Sequence, residues 1–340
     1  MPIIDLHAHL TPMRFQEAVR DGATWHGLTS ATGELEVPGF RKPTEVRIRD
    51  MDALGVDMQV VSPNAGFYQY ANDPAVAAAI ARDCNDEIAD LCGEHPDRFA
   101  GLATLPMQDV PAAIRELERV MSELQFAGAM VSDHVNGRTW DEPEFEPFWA
   151  EVERLGAVIF FHQGSDTVVT HRIDRYHLDN SVGNLTERAL TFGALVGGGV
   201  VDRHPNLKLL LGHAGGYVCF GIARMDRAWQ AAHRLTDEGV DPSVALGGER
   251  GAETAEREAR ADRPPSDYLR NFWYDSCTYT EATLRFLVDT VGSDRVVLGT
   301  DYPAPMILDD AVTWIRGLKS FSSDEKDAIL STSPATLIGL

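Results

Sequence analysis

The sequence predicts an α/β protein built as one (β/α)8 barrel with loop insertions, and three observations predict it. Short apolar runs alternate with longer amphipathic stretches along the whole chain, which is the pattern of βα units. Eight apolar runs can be placed, each followed by a helical stretch. A length of 340 residues, 44% of them hydrophobic, suits a single large barrel core with extended loops.

The strands are expected at Ile3–His9, Asp57–Ser62, Phe99–Thr104, Gly128–Asp133, Val158–His162, Leu207–Gly212, Phe272–Ser276 and Val296–Thr300. Runs such as Ala157-Val158-Ile159-Phe160-Phe161 are apolar throughout, as parallel strands covered on both faces must be. Helices are expected at Thr44–Leu54, Pro74–Glu94, Pro111–Leu124, Glu144–Leu155, Glu187–Val196, Val218–His233, Glu281–Val291 and Asp309–Leu318, with Asp324–Ser331 closing the chain. In the first of these, Val46, Ile48, Met51 and Leu54 fall on one side, the spacing of a helix that buries one face. His95-Pro96 and His204-Pro205 read as helix-to-strand turns. No internal repeat and no linker-like shift in composition interrupts the pattern, so residues 1–340 read as one domain. Two long loops stand out. Asp21–Pro43 follows the first strand. Residues 236–265 are rich in Gly, Ala, Glu, Arg and Pro and read as a surface excursion or a subunit-contact segment.

Composition narrows the function. A formal net charge of −22 repels nucleic acid and anionic membrane, so neither is an expected partner. No apolar run reaches the roughly 18 residues of a membrane span. Met1-Pro2 leads directly into the first strand without a basic leader, which reads as a cytoplasmic protein. Cys84, Cys92, Cys219 and Cys277 form no C-x-x-C pair and read as reduced, mostly buried thiols. The only lysines are Lys42, Lys208, Lys319 and Lys326, which leaves few candidates for a Schiff base or a carbamylated metal bridge.

The chemistry collects at strand ends. In Asp5-Leu6-His7-Ala8-His9, residues two apart face the same side of a strand, so His7 and His9 project together, as half of a metal site or as two hydrogen-bonded barrel histidines. The apolar fifth strand ends in His162, where barrel enzymes place their reactive groups. Leu209-Leu210-Leu211-Gly212-His213 repeats the arrangement before a glycine-rich turn. Val296-Val297-Leu298-Gly299-Thr300-Asp301 ends in a carboxylate that is costly to bury unless paired or metal-bound. Any one of these has a packing explanation; four strands ending independently in ligand-type residues do not. Three imidazoles and a carboxylate suit Zn2+, with Mn2+, Fe2+ or Co2+ also possible. The fourth strand ends in Met130-Val131-Ser132-Asp133 with no lysine, so one metal is expected rather than a bridged pair.

At these residues the chain resembles the amidohydrolase superfamily. It is most similar to the branch of aminocarboxymuconate-semialdehyde decarboxylase and the γ-resorcylate-type aromatic-acid decarboxylases. The likeness is carried by Ile4-Asp5-Leu6-His7-Ala8-His9, Gly101-Leu102-Ala103-Thr104-Leu105-Pro106-Met107-Gln108, His134-Val135-Asn136, Phe161-His162, Gly212-His213-Ala214-Gly215-Gly216 and Leu298-Gly299-Thr300-Asp301-Tyr302-Pro303. The resemblance implies that His7, His9, His162 and Asp301 bind one divalent metal, zinc or manganese, that His213 sits beside it as acid/base, and that the protein is a homodimer. It departs from the semialdehyde decarboxylase after the fifth strand, where Gln163-Gly164-Ser165-Asp166 replaces a Pro-Trp-Asp pattern.

The expected reaction is non-oxidative decarboxylation of a small aromatic or muconate-like acid, with the proton delivered by His213 or Asp301. The alternative is metal-dependent hydrolysis of an amide, ester, lactone or C–C bond by the same residues. Arg41, Tyr68, His134, Gln163, His171 and Arg172 are the candidates for substrate contact, each with an ordinary packing or surface-loop role as the competing explanation.

Overall fold

In the computed structural model the described residues are 1–31, 38–164, 166–170, 172, 175–242 and 261–340. Eight parallel strands, β1 Ile4–Leu10, β2 Met58–Pro63, β3 Phe99–Ala103, β4 Gly128–Val131, β5 Val158–Phe161, β6 Lys208–Leu211, β7 Phe272–Asp275 and β8 Val296–Val297, hydrogen-bond in sequence order. The sheet closes where Leu6 N–H donates to Leu298 O at 2.9 Å and His9 N–H to Tyr302 O at 2.7 Å. This is the (β/α)8 barrel the alternation predicts.

Helices cover the outside of the strands. Among them are α1 Met13–Val19, α2 Thr44–Leu54, α3 Pro74–Glu94, α4 Val110–Ser122, α5 Glu146–Leu155 and α6 Asn184–Gly197. Capping chemistry sets several starts: Asp73 accepts from Ala75 N–H and Asp109 from Ala112 N–H, each with a proline in the first turn. Leu117, Val120, Trp149 and Val152, from α4 and α5, are fully buried in the main core.

Three differences from the expectation bear on the barrel and its ends. The seven-residue α1 is additional to the expected helices, because it is too short to show a period; it buries Phe15 and Val19 in a small satellite core with Phe67, Ile80 and Cys84. β8 pairs over only two residues. Beyond it the chain leaves the β7 ladder for β1, and Asp301 takes a left-handed backbone (φ 62°) as its N–H reaches His7 O at 2.8 Å. The closing helix is split into Ser323–Asp327 and Ser333–Ile338 by a wide turn at Ala328–Thr332. Of the long segment at 236–265, residues 243–260 lie outside the described set, as does His171.

Candidate active site

The five residues singled out at strand ends converge at the C-terminal mouth of the barrel. His7 and His9 project from β1 with their Nε2 atoms 3.0 Å apart. Asp301 Oδ1 lies 3.3 Å from His7 Nε2 and 3.4 Å from His9 Nε2. His162 follows β5, and its ring centroid is 4.5 Å from that of His9. Ligand-type atoms of His7, His9, His162 and Asp301 all lie within 4.8 Å of one another, and all four residues are buried. His213 follows β6 and reaches the cluster from the other side, with Nε2 3.6 Å from Asp301 Oδ2.

Packing of this kind between imidazoles is unfavourable without a shared counter-charge or a cation. Both ring nitrogens of His162 and Nδ1 of His213 are buried with no hydrogen-bond partner among the described residues, which is costly unless something else satisfies them. Burial drives the His9 imidazole down to about 4 and the His162 imidazole well below its ordinary value, the latter with help from the neighbouring rings. Both are therefore neutral at pH 7, the form that donates a lone pair to a metal. Burial alone would push the Asp301 carboxyl up. The charge on His7 and hydrogen bonds from His213, His7 and His9 outweigh it and hold the group well below the usual carboxylate range.

A layer of buried polar residues fixes these side chains. Asp275, the last residue of β7, is fully buried and accepts four hydrogen bonds. His7 Nδ1–H donates to Oδ2 at 2.7 Å, His213 N–H to Oδ2 at 2.8 Å, Ala214 N–H to Oδ1 at 2.7 Å and Cys277 N–H to Oδ1 at 3.1 Å. The first fixes the His7 tautomer and leaves Nε2 turned to the cluster. The next two hold a strained turn, since His213 and Ala214 both have left-handed backbones (φ 54° and 58°). Below them, Asp5 binds His7 N–H, Thr300 and Gln59, and burial raises its carboxyl to about 6 against the Thr300 hydrogen bonds. Arg47 ties Gln59 Oε1 (2.9 Å) to the backbone oxygen of His9.

A cavity of about 530 Å3 opens above His213 and Asp301, walled by Asn184, Cys277, Phe286 and Met306 among others. None of its described lining residues is Lys or Arg. The expected substrate contacts fall elsewhere for the most part. Tyr68 is buried, stacks on Tyr70 and donates to His162 O at 2.9 Å, so it supports the His162 backbone instead of facing the cavity. His134 ties its loop to the one after β5, pairing with Asp166 O at 2.9 Å and accepting from Gly137 N–H in its own loop at 3.0 Å. Arg41 and Arg172 are exposed and outside the cavity lining. Gln163 is half-buried next to His162, with Oε1 unpartnered.

Sequence reasoning missed Asp275, Cys277 and Asn184. For Asp275 a signal existed: Phe272-Trp273-Tyr274-Asp275 ends an apolar strand in a carboxylate just as the Asp301 strand does. Cys277 has its sulfur 3.9 Å from His7 Nδ1 and 3.2 Å from Gly299 O, a position that no spacing rule reveals.

Comparison with known proteins gives the family. Residues 4–340 match the amidohydrolase family. The chain is 32% identical to 2-amino-3-carboxymuconate-6-semialdehyde decarboxylase of Dictyostelium discoideum, over 99% of this chain and 91% of that protein. It is 33% identical to γ-resorcylate decarboxylase of Rhodococcus jostii, over 87% of each. A crystal structure of a dihydroxybenzoic acid decarboxylase from Polaromonas sp., with bound manganese and the inhibitor 2-nitroresorcinol, superposes with a TM-score of 0.80 at 27% identity, covering 100% of this chain and 97% of that one.

Proposed function

Because the chain belongs to the amidohydrolase family, we propose that it is a metal-dependent non-oxidative decarboxylase, a carbon–carbon lyase acting on a small aromatic or muconate-like carboxylic acid. The observation that carries this reading is the His213–Asp301 pair, 3.6 Å apart at the head of a cavity large enough for such an acid. The decarboxylase names of relatives at 32% and 33% identity favour it over hydrolysis.

We assign His7, His9, His162 and Asp301 as ligands of one divalent cation. Support comes from the shared 4.8 Å cluster and the unpartnered nitrogens of His162. Three imidazoles and one carboxylate suit Zn2+, the first choice, while the manganese of the Polaromonas structure makes Mn2+ the alternative. When bound, the cation supplies Lewis acidity that orients the substrate carboxylate and a neighbouring oxygen and stabilises developing negative charge. The residues of the chain do the rest. The bond between carbon and carboxylate breaks, its electron pair stays on carbon, and a proton delivered by His213 or Asp301 takes it up, so that CO2 leaves without any redox change. Asp275 holds His213 in place for this transfer through the backbone N–H groups at 2.8 and 2.7 Å. Gln163 stands beside His162 but outside the described cavity lining, so no substrate contact is assigned to it.

The protein is further read as a cytoplasmic homodimer. Its four cysteines are free thiols, as suits a reducing compartment. Phe220 (83% exposed) and Phe286 (47% exposed) stand at the cavity rim, an apolar surface of the kind subunit contacts cover. No described helix is long and apolar enough to cross a membrane.

The test is metal analysis of the purified protein, followed by CO2 detection with hydroxybenzoates and carboxymuconate-like acids. About one metal per chain with CO2 release sustains the reading. One metal with cleavage of ester, lactone or amide probes and no CO2 replaces it with hydrolysis.

A further inference from the structure

The wall that α6 contributes to the cavity carries a polar side chain that no other described residue pairs with. Asn184, the first residue of α6, lines the cavity together with His213 and Asp301 and is only 4% exposed. Its carboxamide caps no helix and hydrogen-bonds to no other described residue. A carboxamide that lines a cavity without a protein partner is left unpaired when a ligand displaces the water there, so a ligand that restores its hydrogen bonds is favoured over one that does not.

The chemistry of that ligand follows from the donor and acceptor count. A carboxamide offers two N–H donors and one carbonyl acceptor. A hydroxyl group both accepts and donates, and uses both ends of it. A carboxylate accepts only, and a methyl group does neither. The surroundings agree: Leu185, Leu287, Phe286 and Met306 line the same cavity, and no described lining residue offers a positive charge for a second anion.

We propose that Asn184 is a substrate-binding residue that selects acids bearing a hydroxyl group remote from the reacting carboxylate. The proposal rests on the reading of this cavity as the decarboxylase site. Apolar substituents at that place leave the carboxamide buried and unpaired, and charged ones leave a carboxylate without a cation.

The experiment compares dihydroxybenzoates with the matching hydroxy-methylbenzoates on the metal-loaded enzyme. Affinity is measured by calorimetry and turnover by CO2 release, for the wild type, Asn184→Leu and Asn184→Asp. The expected result is a preference of roughly tenfold to a hundredfold for at least one dihydroxy acid over its methyl counterpart in the wild type. Asn184→Leu abolishes the preference while leaving binding of the methyl acid within a few-fold. Asn184→Asp, which keeps only acceptors, retains part of it. The absence of any preference in the wild type overturns the proposal regardless of how the variants fold, and so does a preference that survives Asn184→Leu. Calorimetric preference lost in Asn184→Leu but without CO2 from any acid supports the Asn184 assignment and removes the decarboxylase reading. CO2 release with no dependence on Asn184 does the reverse.

Discussion

The two halves of the site are built differently. The cluster of His7, His9, His162 and Asp301 is buried and held by side chains that have no freedom of their own, Asp275 and Ser62 among them. The cavity wall above it is apolar, half-exposed and contributed by helices and loops: Phe220 and Phe286 stand out into solvent, and Asn184 makes no hydrogen bond that fixes it. The lower half has one geometry because its rings and carboxylates are tied to the barrel. The upper half can change without disturbing the cluster because its side chains, Asn184 among them, are not tied to the barrel. A barrel of this kind separates the chemistry, set by strand ends, from the choice of substrate, set by the loops and helices beyond them.

Substitutions in each half should separate them. The largest effect is expected from His162→Ala and Asp301→Ala: loss of bound metal by elemental analysis and loss of CO2 release to background, because each removes a ligand that the buried cluster cannot replace. His213→Ala comes next. It should retain metal at wild-type stoichiometry and lower turnover by roughly 10²–10⁴; full turnover in this variant would sink the acid/base assignment. Asp275→Asn should weaken metal affinity by about 10–100-fold, measured by competition with a chelator, because an amide cannot accept from His7 Nδ1–H and from two backbone N–H groups at once. Unchanged affinity would mean that His7 holds its orientation without Asp275. The smallest effect is expected in the wall. Phe286→Ala should change KM by less than about tenfold, with kcat and metal content preserved. A loss of metal in that variant would show that the two halves are coupled after all.

Much of the lower half is legible in the residue order. His7 and His9 share a face because strand side chains alternate, and His162, His213 and Asp301 each end a strand whose apolar run is unmistakable. The short α1 and the break in β8 are not legible. Seven residues show no period, and the departure of Gly299-Thr300-Asp301 toward β1 depends on hydrogen bonds to a strand at the other end of the chain. The substrate contacts are the weakest part. Tyr68 and His134 stand close to strand ends as expected, yet their polar atoms turn to His162 O and Asp166 O.

By itself the sequence determined the barrel, the strand ends and the identity of the side chains that cluster there, because alternation and periodicity are local properties of the chain. Only the tertiary structure decided that Asp275 joins His7 to His213, that Cys277 stands beside them, and that Asn184 faces the cavity with its carboxamide unpaired. Those facts depend on the register between neighbouring strands and on where a helix begins over the barrel mouth. Both are set by packing among residues far apart in the chain, where no local pattern records them.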